Sequence, residues 1–249
     1  LYLVRGRKLG GVLSGPYGVG KSMVLELLGR QIRENGQSRF ICIDAPPGGT
    51  AAFVRHMLWA LGYDRPSADV AEALQLLGAP PAPSPDTPVH TVLAVDEAQM
   101  IRDHSTFEFL HLITNLRITP AEGTDRRSGP TFTLLLCGHN DLLDALQREE
   151  SLCQRLQLVW RLLPLDERQT GEYLRHRLTV AGARRELFSP DTIPLIYRAS
   201  QGLPRLINNL ADLALMIGAA MQVPQVTREI VEAAIAEMES ATPPRPALN

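Results

Sequence analysis

The sequence predicts an α/β fold, in which a parallel sheet with flanking helices (residues 1–164) precedes a small all-helical domain (165–240) and a disordered tail (241–249). Three observations support this prediction. Strand-like and helix-like segments alternate through the first two thirds of the chain, as they do when helices cover both faces of a parallel sheet. A glycine-rich loop joins the first strand to the first helix. After Pro164, capped helical patterns follow one another without an intervening strand.

The glycine-rich loop has the pattern Gly15-x-x-x-x-Gly20-Lys21-Ser22, which is typical of the phosphate-binding loop called Walker A. Its glycines let successive backbone N–H groups point at one phosphate group. Lys21 supplies a positive charge for the outer phosphates, Ser22 supplies a hydroxyl for Mg²⁺, and the helix that begins at Lys21 presents its positive dipole end. The residues predicted to contact a nucleotide here are Gly15, Pro16, Tyr17, Gly18, Val19, Gly20, Lys21, Ser22 and Met23.

A strand that ends in two carboxylates is the second candidate element of the site. The segment from Thr91 to Asp96 reads TVLAVD, and Glu97 follows it directly. Such an apolar run is typical of a central strand that is buried on both faces. Its end would bring Asp96 beside the phosphate loop to hold Mg²⁺ through water, and Glu97 would orient the attacking water. This Walker B pattern is weak evidence alone, but it is strong downstream of a phosphate loop.

A polar tip on the next strand completes the predicted centre. The segment from Thr131 to Cys137 is strand-like, and His139 and Asn140 follow it. A polar side chain at this point would lie between the first two motifs, near the γ-phosphate of a nucleotide. Either His139 or Asn140 can fill that position. The alternative for Asn140 is a helix cap.

Two arginines outside these strands are further candidates. Arg155 precedes the last strand, on a face where it can reach the nucleotide of a neighbouring subunit and stabilise transition-state charge. The alternative is a surface arginine that pairs with Glu150 or Ser151, and Arg161 competes for the same role. Arg205 lies in the first turn of its helix, where the dipole disfavours a positive charge. A nucleotide phosphate would compensate for this cost.

Side-chain caps predict where several helices begin. Thr50 is placed to cap one helix of the sheet domain, and Ser105 with Glu108 forms a capping-box pattern that starts another. In the helical domain, Asp166 with Gln169 has the same pattern. These positions predict helix starts immediately after them.

Two proline-rich or glycine-rich segments predict exposed loops. Ala79 to Pro88 contains five prolines, and Thr119 to Pro130 carries Arg126 and Arg127. The two arginines can contact the phosphates of a nucleic acid, although paired exposed arginines are more often only solvated.

Composition limits the classes of protein to which the chain can belong. The chain has 249 residues, is 45% hydrophobic and has a net charge of −2, which argues against a strong nonspecific nucleic-acid binder. Cys42, Cys137 and Cys153 are odd in number and lack CxxC spacing, so we expect buried, reduced thiols of a cytosolic protein. No apolar run approaches the roughly 18 residues of a membrane span. The chain begins at Leu1, as a fragment of a longer protein would.

With these motifs in order, the chain resembles the AAA+ ATPases, and within them the ExeA-type branch (general secretion pathway protein A). The resemblance covers residues from Gly10 to about Glu239. The matching stretches are AVDEAQ, LITNLR, CGHNDLLDAL, LCQRL, LPLDERQTGEYLRHRLTVAG, LFSPDTI and ASQGLPRLINNLADLAL. It implies a P-loop NTPase sheet domain followed by an AAA+ helical lid.

The resemblance also implies a role for each candidate residue. Lys21 and Ser22 bind phosphate and Mg²⁺, Asp96 binds Mg²⁺, Glu97 is the catalytic glutamate, His139 the first sensor, Arg155 the arginine finger and Arg205 the second sensor. One departure concerns the first sensor, because family members often carry Gln and then Pro where this chain has His139 and Asn140. A histidine at that position would make turnover sensitive to pH.

The resemblance implies an ATPase that uses ATP and Mg²⁺, assembles with itself into a hexamer-like ring or filament, and helps to build a secretion or cell-envelope apparatus. The expected location is cytoplasmic, with a tether to the inner membrane supplied by segments outside this chain. Two alternatives remain. One is a regulator that binds duplex DNA, of the TnsC, TniB and MuB type in transposons, and the other is a slow nucleotide-gated switch. The net charge is mild evidence against DNA binding.

Overall fold

The fold was obtained as a computed structural model, which describes residues 6, 8–64, 66–78, 90–118 and 129–241. The predictions for the proline-rich segment 79–88, for Arg126 and Arg127 and for the tail after Ala241 lie outside these residues, whereas Ala241 itself ends the last helix. Two compact units make up the chain. The first contains Leu1–Tyr17 and Lys21–Leu162, and the second contains Gly18–Gly20 and Leu163–Asn249.

A parallel sheet with the strand order β2-β3-β6-β1-β7 forms the centre of the first unit. Its strands are β1 (Gly10–Ser14), β2 (Arg39–Asp44), β3 (Thr91–Asp96), β6 (Phe132–Gly138) and β7 (Leu156–Arg161). A short antiparallel ribbon, which the sequence did not predict, pairs β4 (Arg117–Ile118) with β5 (Gly129–Pro130). The predicted α/β class with a parallel sheet is confirmed.

The two motif strands β3 and β6 lie side by side in the middle of this sheet. Every residue of both strands is buried, which explains their nearly continuous apolar sequences. Leu93, Val95, Leu134 and Leu136 belong to the larger core on one face of the sheet, whereas Ala94 belongs to a smaller cluster on the other face. A strand covered on both faces holds its carboxyl end in a fixed position, and the candidate residues follow these ends.

Helices flank the sheet in the first unit. They are α1 (Lys21–Asn35), α2 (Gly49–Ala60), α3 (Val70–Gly78), α4 (His104–Asn115), α5 (Asp141–Gln147) and α6 (Glu150–Cys153). Helix α1 begins at Lys21, as predicted from the glycine-rich loop. It presents Leu25 and Ile32 among its buried residues.

Two predicted caps in this unit are wrong. Helix α4 begins one residue before Ser105, because Asp103 accepts a hydrogen bond from the backbone N–H of Thr106 and so takes the capping position. Thr50 does not cap α2. Its hydroxyl instead donates to the Asp103 carboxylate at 2.6 Å, which ties the starts of α2 and α4 together.

The second unit is helical within the residues that the structure describes. Its helices are α7 (Glu167–Val180), α8 (Ile193–Ser200), α9 (Pro204–Ala220) and α10 (Arg228–Ala241), with a 3-10 turn at Pro190–Thr192. The predicted capping box at α7 is confirmed, because Asp166 accepts from the Gln169 backbone and Gln169 reaches back to the Asp166 N–H. Ile196, Ile207 and Val231 are among the side chains of its own core.

The cysteines differ from the sequence expectation. All three are free thiols, but only Cys137 is buried, whereas Cys42 and Cys153 are exposed. Cys42 is exposed because β2 is the edge strand of the sheet. In the described part of the chain, no helix is both long enough and apolar enough to cross a bilayer.

Candidate functional site

The carboxyl ends of β1, β3 and β6 bring three separate stretches of sequence together in the first unit. The phosphate loop leaves β1, and the backbone N–H of Gly15 donates to the carbonyl of Gly138 at the end of β6 over 3.2 Å. Gly18 and Gly20 have φ angles of 78° and 105°, which side chains other than hydrogen rarely permit. The positions of these two glycines in the motif are therefore required by the backbone of the loop.

Lys21 is folded back into the phosphate loop. It is only 6% exposed, and its Nζ donates to the carbonyl oxygens of Gly15 at 2.9 Å and Pro16 at 3.1 Å. The same Nζ lies 5.6 Å from the centre of the Tyr17 ring, within the range of a cation–π contact. The charge that the motif predicts for a phosphate therefore lies inside the curl of the loop.

Ser22 and Asp96 form the contact expected of a magnesium site. The Ser22 hydroxyl donates to Asp96 Oδ2 at 2.7 Å, and Asp96 Oδ1 accepts from the backbone N–H of Glu97 at 2.9 Å. Mg²⁺ binds through one or two protein oxygens together with waters and substrate phosphates. One hydroxyl beside one carboxylate fits that requirement. Among the described residues, no group of three or more His, Cys, Asp and Glu side chains forms a separate metal cage.

Desolvation, together with nearby carboxylates, raises the pKa of two thiols close to this contact. Although Cys42 is exposed, desolvation of its sulfur raises the pKa of the thiol to about 11, and the charges of Asp96 and Asp44 add to this. Burial and the charge of Asp96 also raise the pKa of Cys137. Both thiols therefore remain protonated and are poor nucleophiles.

Glu97 has an unusual backbone conformation. Its φ of 50° and ψ of 33° lie in the left-handed region, which is rare for a residue other than glycine. Its carboxylate accepts a hydrogen bond from the side-chain amide of Gln99. Sequence reasoning predicted Glu97 as a candidate but assigned no role to Gln99. Gln99 lies in the stretch AVDEAQ, which supported the family resemblance and could have drawn attention to this residue.

His139 lies at the end of β6, beside both the loop and Gln99. Its backbone N–H donates to Gln99 Oε1 at 3.0 Å, and its ring stacks on Tyr17. Its Nδ1 is 3.1 Å from Asp141 Oδ1, but the angles do not make a hydrogen bond. Asn140 is exposed and occupies the N-cap position of α5 without a side-chain cap. Of the two sensor candidates, His139 is the one that contacts other candidate residues.

The three arginine candidates have different surroundings. Arg155 is half-buried in the turn between α6 and β7, and in the described part of the chain it forms no ion pair, so pairing with Glu150 is not observed. Arg161 is the exposed last residue of β7. Arg205 is exposed in the first turn of α9, and its backbone N–H donates to the carbonyl of Gly18, which belongs to the same unit, at 3.1 Å. Of the remaining loop residues, Val19 is buried, whereas Tyr17 and Met23 are exposed.

Comparison with known proteins agrees with this arrangement. A family model described as "AAA domain" matches residues 4–146, more than half of the chain. The chain is 35% identical over 128 residues to general secretion pathway protein A of Aeromonas hydrophila. That match covers 51% of this chain and 22% of the relative, so the matched half of the chain spans about a fifth of that protein.

Solved structures share the fold at low sequence identity. The ORC2 protein of Aeropyrum pernix matches with a TM-score of 0.69 and 16% identity, over 98% of this chain and 65% of that one. A RuvB mutant from Thermotoga maritima matches with a TM-score of 0.63 and 16% identity, over 96% of this chain and 65% of that one. The resemblance to AAA+ ATPases and to general secretion pathway protein A is confirmed, and so is the P-loop NTPase sheet with a helical C-terminal region. The chain belongs to the AAA domain family.

Proposed function

We propose that this chain binds ATP with Mg²⁺ and hydrolyses it to ADP and phosphate. The observation that carries the proposal is the hydrogen bond from Ser22 to Asp96, which joins residues 74 positions apart. It places the hydroxyl of the phosphate loop and the carboxylate of the β3 strand at one point. These are the two protein ligands that a nucleotide-bound Mg²⁺ needs.

Each candidate residue has a defined part in this proposal. Lys21 would leave the carbonyl oxygens of Gly15 and Pro16 to neutralise the outer phosphates, and the N terminus of α1 would add its positive dipole end. Ser22 and Asp96 would hold Mg²⁺, which supplies charge neutralisation at the β- and γ-phosphates. Glu97 would orient and polarise the attacking water, and His139 would contact the γ-phosphate.

We further propose that the chain assembles with itself when ATP binds, and that turnover serves assembly of a secretion or cell-envelope apparatus. Support for the pathway comes from the 35% identity to general secretion pathway protein A. In such an assembly, Arg155 would act on the nucleotide of a neighbouring subunit and Arg205 on the nucleotide of its own subunit. The structure leaves Arg155 half-buried and without an ion pair among the described residues, so its guanidinium is available for this role.

The first experiment compares ATP binding and turnover in three proteins. We expect the wild-type chain to bind and hydrolyse ATP, Glu97→Gln to bind without hydrolysing, and Lys21→Ala to lose binding. Lys8 is the only other lysine of the chain. Its backbone carbonyl, and not its side chain, accepts a hydrogen bond from the Thr133 hydroxyl in β6. Lys8→Ala is therefore the matched control and should bind ATP normally. Retained affinity in Lys21→Ala would overturn the nucleotide site.

The second experiment measures the mass distribution of Glu97→Gln protein with ATP and Mg²⁺, with and without duplex DNA, at two salt concentrations. Assembly driven by ATP alone supports the secretion or envelope function. Assembly that needs DNA and weakens steeply with salt would support the transposition-type regulator instead, because phosphate contacts release counterions. A monomer under all conditions would overturn self-assembly.

A further inference from the structure

Gln99 lies at the centre of the candidate site although no motif assigns it a function. It is buried, with 6% of its surface exposed, in the 3-10 turn that follows Glu97. Its Nε2 donates to Glu97 Oε2 and lies 3.4 Å from the Tyr17 hydroxyl, while its Oε1 accepts from the His139 backbone N–H at 3.0 Å. One side-chain amide therefore contacts all three strand-end stretches that form the site.

The Gln99 amide packs closely against Gly138, the last residue of β6. A Cβ added to Gly138 would lie far inside van der Waals distance of Gln99 Oε1, and it would also crowd the Gln99 backbone N–H at 3.2 Å. Gly138 is not in a left-handed conformation, so the backbone angles do not demand glycine there. A side chain at position 138 would therefore have to displace the Gln99 amide, and it would also crowd Leu142 Cδ2 at 3.1 Å.

The orientation of both ends of the amide is determined by these contacts. The His139 N–H can only donate, so it selects the Gln99 oxygen, and the carboxylate of Glu97 can only accept, so it selects the nitrogen. An amide held at both ends loses its rotational freedom. Glu97 follows β3 in a left-handed backbone conformation, and the hydrogen bond from Gln99 Nε2 holds its carboxylate.

We propose that Gln99 is a positioning residue that aligns the Glu97 carboxylate with the end of β6 and thereby sets the rate of ATP hydrolysis without setting ATP affinity. This inference rests on the proposed ATPase function. Gln99 does not reach the phosphate loop backbone, Lys21 or the Ser22–Asp96 contact through any hydrogen bond among the described residues. Its loss therefore changes how Glu97 is held and leaves the phosphate and Mg²⁺ ligands in place.

Two variants of similar length separate the two ends of the amide. Gln99→Glu keeps an oxygen that accepts from His139 but replaces the donor to Glu97 by a like charge. Gln99→Met fills the same space and makes neither hydrogen bond. We expect both variants to lower kcat by about tenfold or more, the cost of losing a hydrogen bond to a charged group, with the ATP Kd within about twofold of wild type.

Hydrogen exchange of the His139 amide gives a readout that does not depend on activity. We expect Gln99→Glu to keep protection of this amide and Gln99→Met to lose it. If either variant fails to fold, Gly138→Ala, whose added Cβ would displace the unchanged Gln99 side chain, should also lower kcat.

The outcomes distinguish this inference from the proposed function. A wild-type chain that does not hydrolyse ATP overturns the proposed function, and the positioning role with it. A wild-type chain that hydrolyses ATP, with Gln99→Glu and Gln99→Met at the wild-type kcat, overturns only the role of Gln99. A parallel rise in Kd would also overturn it, because the residue would then act on nucleotide binding.

Discussion

The imidazole of His139 stacks on the phenol ring of Tyr17, with ring centres 4.7 Å apart and an angle of 14° between the planes. Tyr17 belongs to the phosphate loop and His139 follows β6, so the stack links the loop after β1 to the end of β6. Tyr17 is otherwise exposed at its position in the loop. Stacked aromatic pairs contribute about 0.5–1.5 kcal/mol beyond the area that they bury.

The stack predicts that Tyr17 holds the His139 ring in place during turnover. We expect Tyr17→Ala to lower kcat by about 2- to 10-fold, which corresponds to the energy of the stack. Tyr17→Phe keeps the ring and removes only the hydroxyl near Gln99, so it should lose clearly less. Steady-state ATPase assays with both variants test this. Equal losses in the two variants would show that the hydroxyl, and not the stack, matters.

Arg155 is expected to act across subunits. An arginine finger contributes about 10³-fold or more to kcat, so Arg155→Ala should lose nearly all turnover while it retains ATP binding. Mixing it with Glu97→Gln protein should restore part of the activity, because each variant supplies the residue that the other lacks. Arg161→Ala, at the exposed end of β7, is the matched control and should lose much less. If mixing restores nothing, Arg155 acts within its own subunit or only at the surface.

The cap of helix α4 gives a prediction about stability and pH. Burial raises the pKa of Asp103, but hydrogen bonds from Thr106 and Thr50 outweigh it, so the pKa lies below its ordinary value of 3.8. A carboxylate with a lowered pKa stabilises the fold above that ordinary value, and the contribution disappears as the pH falls through the folded-state pKa. Asp103→Ala should therefore cost about 1 kcal/mol at neutral pH.

The pH dependence supplies the control for this cap. The stability difference between wild type and Asp103→Ala should shrink as the pH falls below 3.8. Asp103→Asn keeps an uncharged cap of similar strength, so the difference in stability between Asp103→Asn and Asp103→Ala should not change over this pH range. Unfolding curves measured from pH 7 to pH 3 test both statements, and a difference between wild type and Asp103→Ala that stays constant with pH would contradict the assignment.

Two glycines of the helical unit predict a contrast in stability. Gly202 and Gly182 both have positive φ angles, 69° and 94°. A Cβ on Gly202 would collide with the backbone of Leu165, whereas one on Gly182 would meet nothing within 4 Å. We expect Gly182→Ala to cost only the left-handed strain of about 1–2 kcal/mol, and Gly202→Ala to cost clearly more. Melting temperatures compare the two, and equal losses would contradict the close approach to Leu165.

The sequence was most informative where a local pattern corresponds to a local structure. The spacing from Gly15 to Ser22 predicted the loop and the start of α1 at Lys21, and the apolar run before Asp96 predicted the central strand β3. A backbone motif and a strand buried on both faces leave such patterns in consecutive residues. The capping box of α7 was predicted for the same reason.

Predictions that depended on competition between neighbouring polar residues were less accurate. Ser105 and Asp103 can both cap α4, and the choice fell to Asp103 because its carboxylate also accepts from Thr50, 53 positions earlier. Thr50 does not cap α2, and its hydroxyl donates to Asp103 instead. The exposure of Cys42 depended on the position of β2 at the edge of the sheet, which no single strand sequence encodes.

The amino-acid order alone was sufficient for the family and the fold class, because the motifs that indicate them depend on short-range spacing. Which polar side chains touch depended on how the strand ends meet. Gln99 reaches Glu97, Tyr17 and His139 only because β3 and β6 are neighbours and β1 delivers the loop beside them. These contacts join residues 40 and 82 positions apart. No repeating sequence pattern indicates contacts at such separations, so only the folded structure reveals them.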